Sequence, residues 1–312
     1  MPIGRTTSHA FHLAGIVPVG GAKLDFNMPW HDSMMPVAKN FLAVERAVEE
    51  CAQAGCETIW IICHKEMQPL LRHRLGDWVI DPASLWRHKF IRFATEEQIE
   101  IPIYYIPIHP KDRDRRDCLS WSVLYGIQRA YHISMLLSKW VAPRKYYISF
   151  PYGIYPVKDV YFSRSKISSD KVFYLSHKGK TVVDGKFLGF TIDAVGFAAF
   201  RRGLRAKGTG QWENAFWSEE DRTLKGDKIP LERRWSARHF SLTDVFGSAM
   251  IEEGNILEIE DYYDLSNWEG YCEYIGSDFR KSVKRPHNFK YHEFNKIGHD
   301  EDKVGREEEE EE

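Results

Sequence analysis

Residues 13–37 read LAGIVPVGGAKLDFNMPWHDSMMPV, and the rest of the chain is arranged around them. Leu13, Ala14, Gly15, Ile16, Val17, Pro18 and Val19 form an apolar run without polar alternation, the pattern of a strand covered on both faces. Gly20-Gly21 breaks the run, and the spacing predicts no helix until about Ala38. A buried first strand, a glycine turn and a long loop are how an α/β sheet often presents backbone amides to a phosphate.

Outward from this stretch, Phe41, Val44, Val48 and Cys51 recur at helical spacing, with Glu45, Glu49 and Glu50 on other faces and Gly55 placed as a stop. Residues 57–63, ETIWIIC, then read as a strand. Met67, Leu70, Leu71 and Leu75 predict a second helix ending near Gly76, and Pro82 breaks the segment that follows. Residues 101–108, IPIYYIPI, predict a third strand that its internal prolines push towards the sheet edge. The charged run at 111–117, KDRDRRD, reads as a loop, and 118–140 as a long helix through Trp121, Leu124, Ile127 or Gln128, Tyr131 and Met135. Residues 145–150, KYYISF, predict a strand ended by Pro151-Tyr152-Gly153.

This alternation predicts an α/β fold with a mostly parallel central sheet flanked by helices. Short strands at 171–176, 181–183 and 187–192 predict an antiparallel extension, followed by helices at 194–205 and 242–253 around a charged linker at 208–234. The expected organisation is a polar lead at 1–8, one α/β domain at 9–276, and a polar, mobile tail at 277–312. That tail holds Arg280, Lys281, Lys284 and Arg285 and finishes in the acidic run Glu307–Glu312.

With 43% apolar and 14% aromatic residues, the 312-residue chain has ample material for a core. Its 43 basic and 45 acidic residues leave a net charge of -2, which gives no overall argument for a nucleic-acid or membrane partner. No apolar run approaches the roughly 20 residues of a membrane span, and MPIGRTTSH lacks a signal-peptide core, so a soluble, cytoplasmic protein is expected. Cys51, Cys56, Cys63, Cys118 and Cys272 make an odd count without paired spacing, which reads as buried reduced thiols. The 13 histidines form no zinc motif.

Two ordered stretches carry a resemblance. The first is the opening strand and Gly20-Gly21 loop leading to Met34-Met35-Pro36-Val37, a helix and ETIWIIC. The second is 241–275, SLTDVFGSAMIEEGNILEIEDYYDLSNWEGYCEYI, with a Leu-Thr-Asp helix start and an aspartate, Asp264, just before a helix at 268–274. Together they resemble the sugar-phosphate nucleotidyltransferase family, of glycosyltransferase-A-like (nucleotide-diphospho-sugar transferase-like) fold. The resemblance implies a reaction in which a nucleoside triphosphate and a sugar 1-phosphate give a nucleotide sugar and pyrophosphate, with Mg2+ as cofactor. It places Gly20, Gly21 and Ser120 at the nucleotide and Asp264 in catalysis and on the metal; Lys23, which from the glycine loop can reach a phosphate of the nucleotide, or else Lys39, is the candidate to stand in for the family's catalytic lysine.

The chain departs from the family pattern at three points. The fuller glycine-rich pattern with its arginine is absent, Asp32 stands about where the family's lysine belongs, and no acid follows residues 145–150 until Asp159. These departures describe a divergent member with incomplete catalytic motifs. They keep open a catalytically degenerate binding or structural protein and, third, a glycosyltransferase using a ready-made nucleotide sugar.

The bland readings stand beside these. Gly20-Gly21 can be an ordinary turn, Asp264 a helix N-terminal aspartate, and Ser120 and Ser122 helix caps. His31 and Asp32 read as a solvent-facing loop. Asp112-Arg113-Asp114, an acid-x-acid pattern before the long helix and not after the central strand, reads as solvated charge.

Overall fold

The computed structural model describes residues 12–21, 27–83, 100–137, 142–214, 240–249 and 255–289. The strands, in chain order, are β1 (Leu13–Pro18), β2 (Pro36–Ala38), β3 (Phe41–Leu42), β4 (Thr58–Cys63), β5 (Trp78–Ile80) and β6 (Glu100–Pro107). They continue with β7 (Lys145–Ile148), β8 (Gly153–Ile154), β9 (Tyr174–Ser176), β10 (Phe190–Asp193), β11 (Ile256–Glu258) and β12 (Tyr263–Asp264). The helices are α1 (Ala43–Ala54), α2 (Gln68–Leu75), α3 (Pro110–Arg116), α4 (Leu119–Leu137), α5 (Lys158–Phe162) and α6 (Arg164–Ile167). After them come α7 (Ala194–Asn214), α8 (Leu242–Phe246), α9 (Trp268–Gly276) and α10 (Phe279–Ser282).

Eight strands form one sheet in the order β11-β9-β10-β7-β1-β4-β6-β5. The central four, β7-β1-β4-β6, run parallel, while β10 and β5 add antiparallel neighbours on either side. The expected mostly parallel sheet with an antiparallel extension is therefore the observed architecture. Strand order reverses between β1 and β7, so the crevice at their carboxyl ends is the topological switch point where open α/β sheets bind ligands.

Both faces of β1 are covered, which is why it reads as a continuous apolar run. Leu13 and Val17 pack with Val44, Val48 and Cys51 of α1, and Ala14 and Ile16 pack with Val123, Leu124 and Ile127 of α4. Each of these buried Leu, Ile and Val side chains contributes roughly 1.5–3 kcal/mol of burial. A Cβ on Gly126 of α4 would lie 2.7 Å from Ile62 Cγ1, so that glycine lets the long helix lie directly on the sheet.

Several local expectations are corrected. The first helix begins at Ala43 and not near Ala38, because Pro36–Leu42 folds into the β2-β3 ribbon. The proline-bearing β6 is not an edge strand: β5 caps it, and its pairing spans only Trp78↔Pro102 to Ile80↔Glu100. The charged run at 111–117 is largely helix α3, started by His109, whose Nδ1 accepts from the Lys111 amide at 3.1 Å, and by Pro110 at the first helical turn. Thr181 caps a 3-10 turn, Val182–Asp184, through a reciprocal bond with Asp184 in place of the expected strand. The helix expected at 242–253 ends at Phe246, and residues 250–254 lie outside the described part.

Packing also continues past Gly276, into the segment expected as mobile tail. Phe289 is buried and rests 6.5 Å from Phe41, Ile80 N donates to Asn288 O at 2.9 Å, and Arg285 Nη2 pairs with Glu45 Oε1 at 2.9 Å. Residues 290–312, with the acidic run, lie outside the described part. Among the described residues no helix is long and apolar enough to cross a membrane.

Candidate site at the carboxyl ends of the strands

The loop after β1 is fixed by neighbours on three elements. Val19 N and Gly20 N both donate to Ile62 O, at 2.8 and 2.9 Å, and Ser122 Oγ of α4 donates to Gly20 O at 2.7 Å. Gly21 has φ +81°, and a Cβ there would lie 2.5 Å from the Cys118 carbonyl carbon. The paired glycines thus have a packing reason: they bring the chain onto the start of α4. Gly20's own amide and carbonyl are engaged within the protein. Lys23 lies outside the described residues.

Beyond the loop, Asp32–Met34 forms a 3-10 turn capped by His31. The expected solvent-facing loop is contradicted here: Asp32 and Ser33 are fully buried. His31 Nδ1 lies 2.8 Å from Ser33 Oγ and 3.2 Å from the Ser33 amide and from Asp32 Oδ1. With the amide donating to Nδ1, the imidazole proton sits on Nε2. Burial first, and the nearby His64 second, push the His31 pKa down to about 4, so it is neutral at pH 7. His64, immediately after β4, places Nε2 3.0 Å from Asp117 Oδ1, one residue before Cys118. A histidine-aspartate pair and a second, neutral histidine therefore stand beside the glycine loop.

Ser120 is fully buried, and its Oγ donates to Ser241 O at 3.1 Å, tying α4 to the start of α8. Neither Ser120 nor Ser122 caps α4 through its hydroxyl in this arrangement; each binds a carbonyl of another segment. Cys63 and Cys118 are pushed up to about 12 by burial, which keeps both as neutral thiols. Four of the cysteines are buried as expected, and Cys272 is exposed.

Asp264 reaches the same sheet end from the far side of β1. Strand β12 pairs antiparallel with β8, setting Asp264 opposite Gly153, and Leu265 N donates to Tyr152 O at 2.7 Å. Tyr152 is buried and its hydroxyl donates to Val19 O at 2.8 Å, so its phenol ties the turn after β7 to the end of β1. Burial, and then the charge of Asp32, raise the Tyr152 pKa well above the usual phenol range. Asp264 Oδ1 accepts from Ser266 N at 2.9 Å. Asn267, not Asp264, caps α9, accepting from Gly270 N at 2.7 Å. The helix-capping reading of Asp264 is thereby replaced by a position on a strand next to the central strand's end. Asp159 lies in the first turn of α5.

A buried network that sequence reasoning missed holds this edge in place. Glu50 Oε1 accepts from the hydroxyls of Tyr147 and Tyr155, and Oε2 from Ser149 Oγ and Arg46 Nη2, all at 2.6 Å. Arg46 Nη1 donates to Gly153 O at 2.6 Å and Phe150 O at 3.2 Å. The charge pair thus fixes the turn after β7 against which Asp264 pairs. Its sequence signal was the i,i+4 spacing of Arg46 and Glu50 in a helix that also carries a full apolar face.

Among the described residues, no group of three or more His, Cys, Asp or Glu side chains is placed to hold a metal ion. No protein-family model matches the sequence, and no curated protein matches it. Among solved structures, the chain is similar to a Bacillus anthracis protein assigned as a glucose-1-phosphate thymidylyltransferase, in complex with a sucrose. The identity is 10%, the match covers 89% of this chain and 98% of that one, and the TM-score is 0.50. A UDP-glucose pyrophosphorylase complexed with UDP-glucose aligns at 11% identity over 87% of this chain and 99% of that chain, with TM-score 0.47. A UTP-bound UGPase from Acinetobacter baumannii aligns at 12% identity, 89% and 95% coverage and TM-score 0.44. The first likeness establishes a shared fold.

Proposed function

We propose that the carboxyl end of the sheet binds a nucleoside triphosphate and that the protein belongs to the nucleotidyltransferase type, joining the nucleotide to a sugar 1-phosphate. The observation that carries this reading is the register Asp264↔Gly153. It supplies a carboxylate next to the central strand's end, where the chain's own sequence places none before Asp159. The shared fold with the glucose-1-phosphate thymidylyltransferase supports the reaction class, and the switch point supports the location.

In the proposed reaction an oxygen of the sugar phosphate attacks the α-phosphorus and pyrophosphate leaves. Negative charge grows on the α-phosphoryl oxygens and on the leaving group, so donors placed there lower the barrier. His31, neutral with its proton on Nε2, is assigned as a hydrogen-bond donor, and the His64–Asp117 pair as a held imidazole beside the phosphates. Lys23 is assigned to the triphosphate as the loop's cation, and Gly21 and Ser120 shape the nucleotide side of the cleft.

The residues present fit a magnesium ion brought in on the triphosphate, since such ions take one or two carboxylates together with substrate phosphates. Asp264 is its assigned protein ligand, through the oxygen not bonded to Ser266. The ion would neutralise phosphate charge when bound.

One observation favours a second reading, binding without transfer. The amides of Val19 and Gly20 are both spent on Ile62 O, which reduces the backbone donors that face a phosphate. The test is a melting-temperature series with each triphosphate and magnesium, because a ligand at 100 times its Kd stabilises by about 2.7 kcal/mol. Pyrophosphate release with a panel of sugar 1-phosphates follows. Transfer predicts release that Asp264→Asn lowers at least a hundredfold without altering the ligand-free Tm. A shift without release supports the binding-only reading, and no shift with any triphosphate or nucleotide sugar removes both.

A further inference from the structure

A second cleft lies between α3, α4 and α7; its near end, at Arg116 and Trp121, adjoins Asp117 and Ser120, and it extends along α4 to Arg129 and His132. Trp121, Tyr125, Gln128, Arg129 and His132 recur at helical spacing on one face of α4. With Asp112 and Arg116 of α3 and Arg201 of α7, they line a cavity of about 520 Å³. That volume falls in the range of small-molecule sites. Three guanidinium groups face it against one lining carboxylate, Asp112, which lies 3.8 Å from Arg116 Nη1. Arg201 makes no ion pair among the described residues. A neighbouring cavity of about 500 Å³ shares Arg201 and adds Arg202 and Arg205, so positive charge continues along α7.

The aromatic residues bear on the class of ligand. Arg116 lies 4.8 Å above the Trp121 ring and Arg129 5.0 Å above the Tyr125 ring. Each guanidinium is positioned by an aromatic ring, and the planar fork of guanidinium donors matches phosphate oxygens two at a time. Because these rings already carry guanidinium groups, they are poor platforms for stacking successive bases, which single-strand binding requires. Clustered arginines and occupied rings together favour a small polyanion over a nucleic-acid strand.

We propose that this cleft is a binding site for a ligand carrying a polyphosphate chain, distinct from the proposed transfer site and independent of whether transfer occurs. The test titrates the full chain, in EDTA, with inorganic tripolyphosphate and separately with ATP, by calorimetry. Both probes are expected to bind, more weakly as salt rises. Arg129→Ala/Arg201→Ala is expected to weaken both at least tenfold, and Asp264→Asn to leave them within twofold. Tighter binding of ATP than of tripolyphosphate assigns a nucleotide ligand; equal binding assigns the phosphate chain alone. If the double variant melts early, Arg201→Ala alone carries the test, since its half-buried side chain makes no ion pair among the described residues. No binding, undiminished binding to the arginine variants, or displacement of both probes by a tighter-binding single-stranded oligonucleotide overturns the proposal.

Discussion

Gly21 and Gly20 look alike in sequence but differ in what they permit. Gly21 is left-handed, where an L-residue costs roughly 1–2 kcal/mol, and its missing Cβ faces backbone atoms of Cys118 that cannot swing aside. At Gly20 a Cβ would meet the flexible tip of the Ile108 side chain. Gly21→Ala is therefore expected to lower stability by about 2–4 kcal/mol, and Gly20→Ala by about 1–2 kcal/mol, in urea titrations. Equal losses would remove the special role of the Gly21-Cys118 contact. At this scale the sequence showed that two glycines end β1, but not which backbone they touch, because Cys118 is nearly a hundred residues away. It was equally silent on Asp32. A carboxylate in a Trp-His-Asp-Ser loop reads as exposed, and only the tertiary fold brings Tyr152 and the sheet end over it.

At the scale of elements, α1 links the site to the chain's carboxyl-terminal segment. Its solvent-like glutamates are buried: Glu45 meets Arg74 and Arg285, Glu49 meets Gln53 and Asn288, and Glu50 anchors the turn after β7. Burial pushes the Glu49 pKa up to about 7 from its ordinary 4.5, despite hydrogen bonds that act the other way. The folded protein then holds a proton that the unfolded chain releases between those two values. This contribution is fully present below pH 4.5, is lost as pH rises to about 7, and is flat above it. Glu49→Gln should remove this fall, on the order of 3 kcal/mol, when urea stability of the variant and the parent is compared from pH 5 to 8. A parallel pair of curves would show that Glu49 ionises normally. The alternation of strands and helices was legible here because both faces of the sheet are covered by helices. Helix α3 was not, because its charges hid the helix start that His109 and Pro110 encode, and neither was β5, a three-residue strand defined by its partner β6.

At the scale of the molecule, four parallel strands carry the glycine loop, His64 and the Tyr152 turn to one edge, and the β12-β8 ribbon returns Asp264 to that edge across more than a hundred residues. The fold class was readable from local periodicity. Of the candidate site, the sequence could name Gly20, Gly21, Ser120 and Asp264, which come to one end of the sheet, whereas the His31, His64 and Asp117 grouping needed the three-dimensional packing of loops after β1, β4 and α3. The same molecule gathers Arg116, Arg129 and Arg201 in the cleft beside α4, the second of the two phosphate sites proposed. The measurement that separates them most directly is a crystal structure of the full chain with a nucleoside triphosphate and magnesium. The account predicts the triphosphate across the ends of β1 and β4, beside Gly21 and His64, with the metal on Asp264. Phosphates bound solely among Arg116, Arg129 and Arg201, with the sheet end unchanged, would contradict it.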